Sequence, residues 1–144
     1  MEQNKSEGNM FRLENKVLRD VMTRGVVTVQ MDATVKHIAK LLSGCGVSAV
    51  AVVGHEGETM GIVSDMDILK IIGKENWENY RAESIMSSKV ESVKATSTLC
   101  DAARIMKQKH IHRLLILSEQ GVGASQRPVA ILSASDIVRE AARD

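Results

Sequence analysis

Met60-Gly61-Ile62-Val63-Ser64-Asp65-Met66-Asp67-Ile68-Leu69 is the stretch around which the chain is organised. A short apolar run ends at Ser64, and Asp67 follows three residues later as a second apolar run begins. Near the C-terminus the arrangement returns as Val129-Ala130-Ile131-Leu132-Ser133-Ala134-Ser135-Asp136-Ile137-Val138. A serine followed at the third position by an acid, between a strand and a helix, is the pattern of a capping box. The same groups suit a nucleotide. An ionised carboxylate can accept hydrogen bonds from both hydroxyls of a cis-diol, and a helix N-terminus offers N–H groups and a positive dipole end to phosphate.

Outward from this stretch the chain reads as two copies of one unit. In the first, Val26-Val27-Thr28-Val29 predicts a short strand, and Asp32-Ala33-Thr34 predicts a helix start. Val35, Ile38, Ala39, Leu41 and Leu42 give that helix an apolar face, and Gly44-Cys45-Gly46 ends it. The β-branched and alanine run from Val47 to Val53 predicts a buried strand. Gly54 to Glu58 predicts a turn that hairpins it to Met60–Val63. Ile68, Leu69, Ile71 and Ile72 predict a closing helix, stopped at Gly73.

The second unit repeats this order. Asp20-Val21-Met22-Thr23 matches Ser84-Ile85-Met86-Ser87, and Val26 and Val29 match Val90 and Val93, all 64 positions apart. Thr34-Val35 matches Thr98-Leu99, where Thr98 and Asp101 predict a capping box, and Leu114–Leu117 matches Val50–Val53. Asp67 matches Asp136 at 69 positions, and the five extra residues fall in the hairpin turn within Gly121–Pro128. The reading is therefore α/β, with strand, helix, strand, strand, helix occurring twice. Two such units can bury their exposed sheet faces against each other as a pseudo-twofold module with small mixed sheets. Residues 1–16 form a polar tail and the start of a leading helix, whose apolar positions are Phe11, Leu13, Val17, Leu18, Val21 and Met22. The units span 17–73 and 84–144. A polar linker at 74–83 carries Trp77 and Tyr80, three apart, as one helical turn for packing.

Composition narrows the function. Formal net charge is +1 and aromatics are 2%, so neither a basic footprint nor base-stacking platforms argue for nucleic acid. Cys45 and Cys100 have no metal-ligand spacing and read as reduced thiols. Asp65 beside Asp67 is not a metal pair, because helix residues two apart do not face each other. No apolar run approaches the ~20 residues of a membrane span, and the polar N-terminus has no signal-peptide pattern. The expected location is cytoplasmic. No nucleophile–base pair, metal cluster or phosphate loop is present in the sequence, so an enzyme is not expected.

With its duplicated Met22-Thr23 and Met86-Ser87 openings, its twin Ser-x-x-Asp junctions and its Ile111-His112-Arg113-Leu114 segment, the chain resembles a tandem pair of CBS domains, the Bateman module. The resemblance covers nearly everything from Leu18 to Ala142. It implies a non-catalytic regulatory module that binds an adenosine ligand, AMP, ADP, ATP or S-adenosylmethionine, between the repeats. No obligatory cofactor is implied. In that pattern the acid of the junction grips ribose hydroxyls and its serine contacts ribose or phosphate, which assigns Asp67 with Ser64 to one cleft and Asp136 with Ser133 to the other. Val26, Val27, Val90 and Glu91 fall at the adenine slots, Thr23 and Ser87 at the openings, and His112 and Arg113 at the phosphate-contacting pair. The first unit departs from the pattern. It has Ser48-Ala49 where the second has His112-Arg113, and Gly61 where the second has Ala130. The clefts should therefore differ, one tight and one weak or empty, with the order left open. Lys70 and Arg139, each three residues after its Asp, read as solvated helix positions. The resemblance implies an effector protein contacted in trans and a homodimer. The alternative is a ligand-free oligomerisation module pairing through the helices Val35–Leu42 and Leu99–Met106.

Overall fold

A computed structural model describes residues 14–21, 25–118 and 127–143, and all structural statements concern these. The first unit runs β1 (Thr28–Gln30), α1 (Val35–Cys45), β2 (Ala49–Val53), β3 (Thr59–Ser64) and α2 (Asp65–Ile71). A 3-10 turn at Trp77–Asn79 and a one-turn helix α3 (Ala82–Ile85) lead to the second unit. That unit repeats the order as β4 (Ser92–Lys94), α4 (Leu99–Lys109), β5 (Arg113–Leu117), β6 (Pro128–Ser133) and α5 (Ala134–Ala141). Each unit has one three-stranded mixed sheet with its middle strand parallel to the first and antiparallel to the third. Even the irregularities match: the hairpin register slips between Val52 and Val53 and between Ile116 and Leu117.

Local chemistry sets the boundaries. Thr34 Oγ1 accepts from the His37 N–H to start α1, and Gly46 (φ 64°, ψ 35°) ends it in the left-handed region. At the equivalent place His110 ends α4 with φ 54°, a conformation that costs a non-glycine residue about 1–2 kcal/mol. Thr98 caps α4 by accepting from the Asp101 N–H at 3.1 Å, but the Asp101 carboxylate turns to Arg104 at 3.0 Å, so only half of the expected box forms. The strand expected from Val26 starts at Thr28. Val27 contributes one more bond, its carbonyl accepting from the Ala51 N–H, and Val26 packs instead among the residues between the sheets.

The core has three parts. Val29, Val35, Ile38, Val50, Val52, Val63, Ile68, Ile71 and Ala82 fill the first unit. Val93, Leu99, Ala102, Met106, Leu114, Ile116, Ala130, Leu132 and Leu18 fill the second. Ala49, Ala51, Ile62 and Leu115 join the two sheets face to face, flanked by Val26, Val90, Leu117 and Ile131. The third part places one unit against the other and hence forms clefts along their boundary.

Leu18 and Ala82 lie in each other's units. The segment before each unit crosses to the opposite one as a strap. Leu18 N–H bonds to Ser97 O and Leu99 N–H to Lys16 O, while Ala82 N–H bonds to Ala33 O and Val35 N–H to Tyr80 O. Isolated bridges Val17–Thr98 and Thr34–Arg81 complete the symmetric pair. The expected leading helix is consequently broken: Glu14 and Asn15 are helical, Val17 is extended to make its bridge, and Leu18–Asp20 is a single 3-10 turn. The positions Phe11, Leu13 and Met22 lie outside the described residues. Trp77 and Tyr80 pack onto the first unit's core as expected, with Lys36 Nζ 6.0 Å from the Trp77 ring centroid.

The helix faces proposed for pairing between chains are used within the chain. Val35, Ile38, Leu99, Ala102 and Met106 are all buried. The expected apolar face of α2 divides: Ile68 and Ile71 point inward, and Leu69 and Ile72, the latter just past the helix end, stand exposed at 59% and 52%. Residues 68 and 71 lie on one face of a short helix, and 66, 69 and 72 on another.

Candidate functional site

Both Ser-x-x-Asp junctions are complete capping boxes. At the first, Ser64 N–H donates to Asp67 Oδ2 at 2.8 Å and Asp67 N–H to Ser64 Oγ at 3.4 Å. At the second, Ser133 N–H donates to Asp136 Oδ2 at 2.9 Å and Asp136 N–H to Ser133 Oγ at 3.2 Å. Capping holds each carboxylate in one rotamer at the mouth of its helix. It uses only part of each carboxylate, which has about four acceptor positions, so the structural role leaves room for a ligand.

A cavity of about 720 Å³ opens between the units, within the usual range for small-molecule sites. Val26, Val27, Ser48 and Ala49 line it from the first unit, and Ala130, Ile131, Ser133 and Asp136 from the second. Arg113 reaches it from the start of β5, and Asp20 and Val21 from the N-terminal strap. The cavity thus brings together Val26, Val27, Arg113, Ser133 and Asp136. The lining combines small and aliphatic side chains, which suit a flat ring, with polar and charged groups.

Ser64, Asp67, Ser87, Val90 and Glu91 do not line this cavity. Ser87 pairs with Ile62 through two backbone bonds, and Glu91 is bridged to Lys109 at 3.1 Å. Gly61 permits the Ser87 pairing: a Cβ there would lie 2.6 Å from Ser87 O and 3.0 Å from Met86 Sδ. Thr23 lies outside the described residues. His112 is exposed and outside the cavity lining; its carbonyl accepts from the Ala134 N–H at 2.8 Å, starting α5.

Sequence reasoning named Asp136 and weighed Arg139 but passed over Glu140 and Arg143. Asp136, Arg139, Glu140 and Arg143 all line the cavity; the first three lie at helical spacing on α5, and Arg143 follows just past its end. Arg139 Nη1 pairs with Asp136 Oδ1 at 3.1 Å while remaining 73% exposed, so its solvated position and its place at the rim are both real. Glu140 is buried, bridged by Lys16 Nζ at 2.9 Å and Arg143 Nη1 at 3.3 Å. The hydrogen bond from Lys16 is the main cause that holds the Glu140 carboxyl below its ordinary 4.5. Burial opposes the shift, and the positive charges of Lys16 and Arg143 add to it. A carboxyl with a depressed folded-state pKa stabilises above its unfolded pKa, and the gain is lost as pH falls through the folded value. Acidification from neutral to below about 4.5 should therefore lower the melting temperature of the native protein more than that of Glu140→Gln. Parallel thermal melts would show equal losses if the Lys16 tether contributes nothing.

Among the described residues, no group of three or more His, Cys, Asp or Glu could hold a metal ion, and no helix is long and apolar enough to cross a membrane.

Against this geometry, the CBS domain profile matches residues 18–74 and 82–143. An uncharacterised protein of Methanocaldococcus jannaschii is 34% identical over 122 residues, 83% of this chain but 42% of that protein. A homoserine O-acetyltransferase of Methanococcus vannielii is 25% identical over 76% of this chain, which spans 23% of the enzyme. Two solved structures share the fold. A CBS domain pair in complex with 5′-methylthioadenosine and S-adenosyl-L-methionine superposes with a TM-score of 0.75 at 20% identity, covering 87% of this chain and 94% of that one. A CBS domain protein from Pyrobaculum aerophilum complexed with AMP gives 0.74 at 21% identity, covering 88% and 98%.

Proposed function

This chain belongs to the CBS domain family as a tandem pair, and from that premise we propose that it is a regulatory module binding an adenosine ligand in the cavity between its units. The observation that carries the reading is the convergence of Val26 and Val27 from one unit with Ser133 and Asp136 from the other on one cavity. Adenine fits between the aliphatic walls, Asp136 accepts from the ribose hydroxyls, and Arg113, the cross-strand neighbour of Ser133, takes phosphate where the ligand has one. The two similar structures contain AMP in one case, and methylthioadenosine with S-adenosylmethionine in the other. That supports the ligand class without choosing within it. Because the ligand touches both units and the strap, binding favours one relative placement of the units, and an effector protein would sense that placement.

The test is a thermal shift with AMP, ADP, ATP, 5′-methylthioadenosine and S-adenosylmethionine. A ligand at a hundred times its dissociation constant should add about 2.7 kcal/mol, or roughly 5–10 °C for a chain of this size. No shift with any of the five would sink the reading. A second reading, self-association without ligand, draws on Met66, Leu69, Ile72 and Val138, which stand 52–67% exposed. It predicts a dimer whose stability is indifferent to all five compounds.

A further inference from the structure

Arg113, a cavity arginine, crosses from one unit to the other. It leaves the first residue of β5, and its Nη2 donates to Ser48 Oγ of the first unit at 3.0 Å. The same Nη2 lies 3.5 Å from Asp65 Oδ1. Asp65 is the first residue of α2, held there by its N–H to Ser48 O at 2.9 Å and by Oδ1 accepting from the Met66 N–H at 2.8 Å. The guanidinium is mostly enclosed, at 24% side-chain exposure, whereas Asp65 is 55% exposed. Its Nε is buried and has no hydrogen-bond partner among the described residues.

This arrangement is incomplete from the arginine's side. One nitrogen carries both contacts to the first unit, and the charged contact is long. A guanidinium is best satisfied by two parallel bonds to one anion, and a buried donor without a partner is destabilising. Asp65 therefore neutralises Arg113 in charge but does not saturate its donors. A phosphate in the cavity would offer what Asp65 does not: several oxygens on the side where Ser48 and Arg113 line the wall.

We propose that Asp65 is a specificity-determining residue that competes with ligand phosphate for Arg113. It lowers the preference of the cavity for phosphorylated over unphosphorylated adenosine ligands. The inference rests on the adenosine-ligand reading above and adds a residue that does not line the cavity. The cavity acquires its charge from pairs: Asp136 with Arg139, Glu140 with Arg143 and Lys16, and Arg113 with Asp65. Asp65 stands outside the lining, so changing it alters the charge available to a ligand without removing a contact surface. Its exposure also limits the effect, since a partly solvated pair is worth up to about 1 kcal/mol.

The experiment is calorimetric titration of AMP and of 5′-methylthioadenosine into the full chain, native and Asp65→Asn. Asparagine keeps an oxygen to accept from the Met66 N–H and removes only the charge. AMP should bind about three- to fivefold more tightly to the variant, at the upper end of an exposed pair. Methylthioadenosine, which has no phosphate, should change by less than about twofold. The gain for AMP should shrink in high salt and vanish when Arg113→Met is added, because the competition then has no object. Equal change for both ligands, no change for AMP, or a gain that survives Arg113→Met would each overturn the role of Asp65 while leaving ligand binding intact. If neither ligand binds the native chain, the adenosine reading falls and this inference with it.

Discussion

Replacing Asp136 by alanine is expected to weaken binding of any adenosine ligand by about a hundredfold. Two hydroxyl donors to one carboxylate are charge-assisted bonds of about 1.5–3 kcal/mol each. The lower end of that range is appropriate, because Asp136 Oδ1 is already shared with Arg139. A loss near 3 kcal/mol corresponds to about two decades in the dissociation constant. Asp136→Asn, which still accepts but carries no charge, should fall between alanine and the native protein. Asp67→Ala removes a similar capping box outside the cavity and should leave affinity within about twofold. Both alanine variants lose a cap, and each should lose about 1 kcal/mol of stability, so calorimetry must be done well below either melting temperature. Equal loss of affinity in the two variants would show that the effect is structural, and the cavity would not be the site.

The largest expected change in stability comes from Leu18. It is fully buried among Val93, Leu99, Leu114 and Ile116 of the unit that lies after it in the chain. Leu18→Ala removes three buried carbons and leaves a cavity, at a cost of about 2–5 kcal/mol. The melting temperature should fall by roughly 6–15 °C. Leu69→Ala, at a leucine 59% exposed, should stay within about 0.5 kcal/mol. Denaturant unfolding of both variants checks the pair. If Leu18→Ala costs no more than Leu69→Ala, the strap is not part of the core.

Much of this architecture was legible because it depends on local rules applied twice. The Ser-x-x-Asp junctions form boxes, Thr34 and Thr98 cap, Gly46 ends α1, and the β-branched run after Gly46 becomes a central strand, each for a reason contained in a few neighbouring residues. The 64-residue repeat then brought the units together. What escaped reading depends on residues distant in sequence. Nothing near Leu18 says that its side chain belongs beside Leu99, or that Val17 must be extended to bridge Thr98; apolar spacing alone suggested a helix. Arg113 meets Asp65 only after the sheets have stacked. The apolar faces of α1 and α4 announced burial correctly but not against what. The chain itself buries Val35, Ile38, Leu99, Ala102 and Met106, while Leu41 and Leu42 stay half-buried. The two units differ in sequence at Ser48-Ala49 against His112-Arg113. That these positions meet was not legible: Arg113 spans the boundary and donates to Ser48, which stands where the second unit has His112.

The two straps decide how such a module can be moved between proteins. Cutting the chain between Ile72 and Trp77 would leave each half with a strap built for its counterpart and without the one that closes its own sheet and helix. The smallest portable piece is therefore the pair, and its left-hand boundary lies no later than Lys16, whose carbonyl already anchors α4. A fusion junction placed conveniently at the first strand would delete Leu18 from one core, Asp20 and Val21 from the cavity wall, and the Lys16 tether to Glu140. Grafts that respect this boundary transplant the whole pair; grafts that start at β1 transplant two damaged halves.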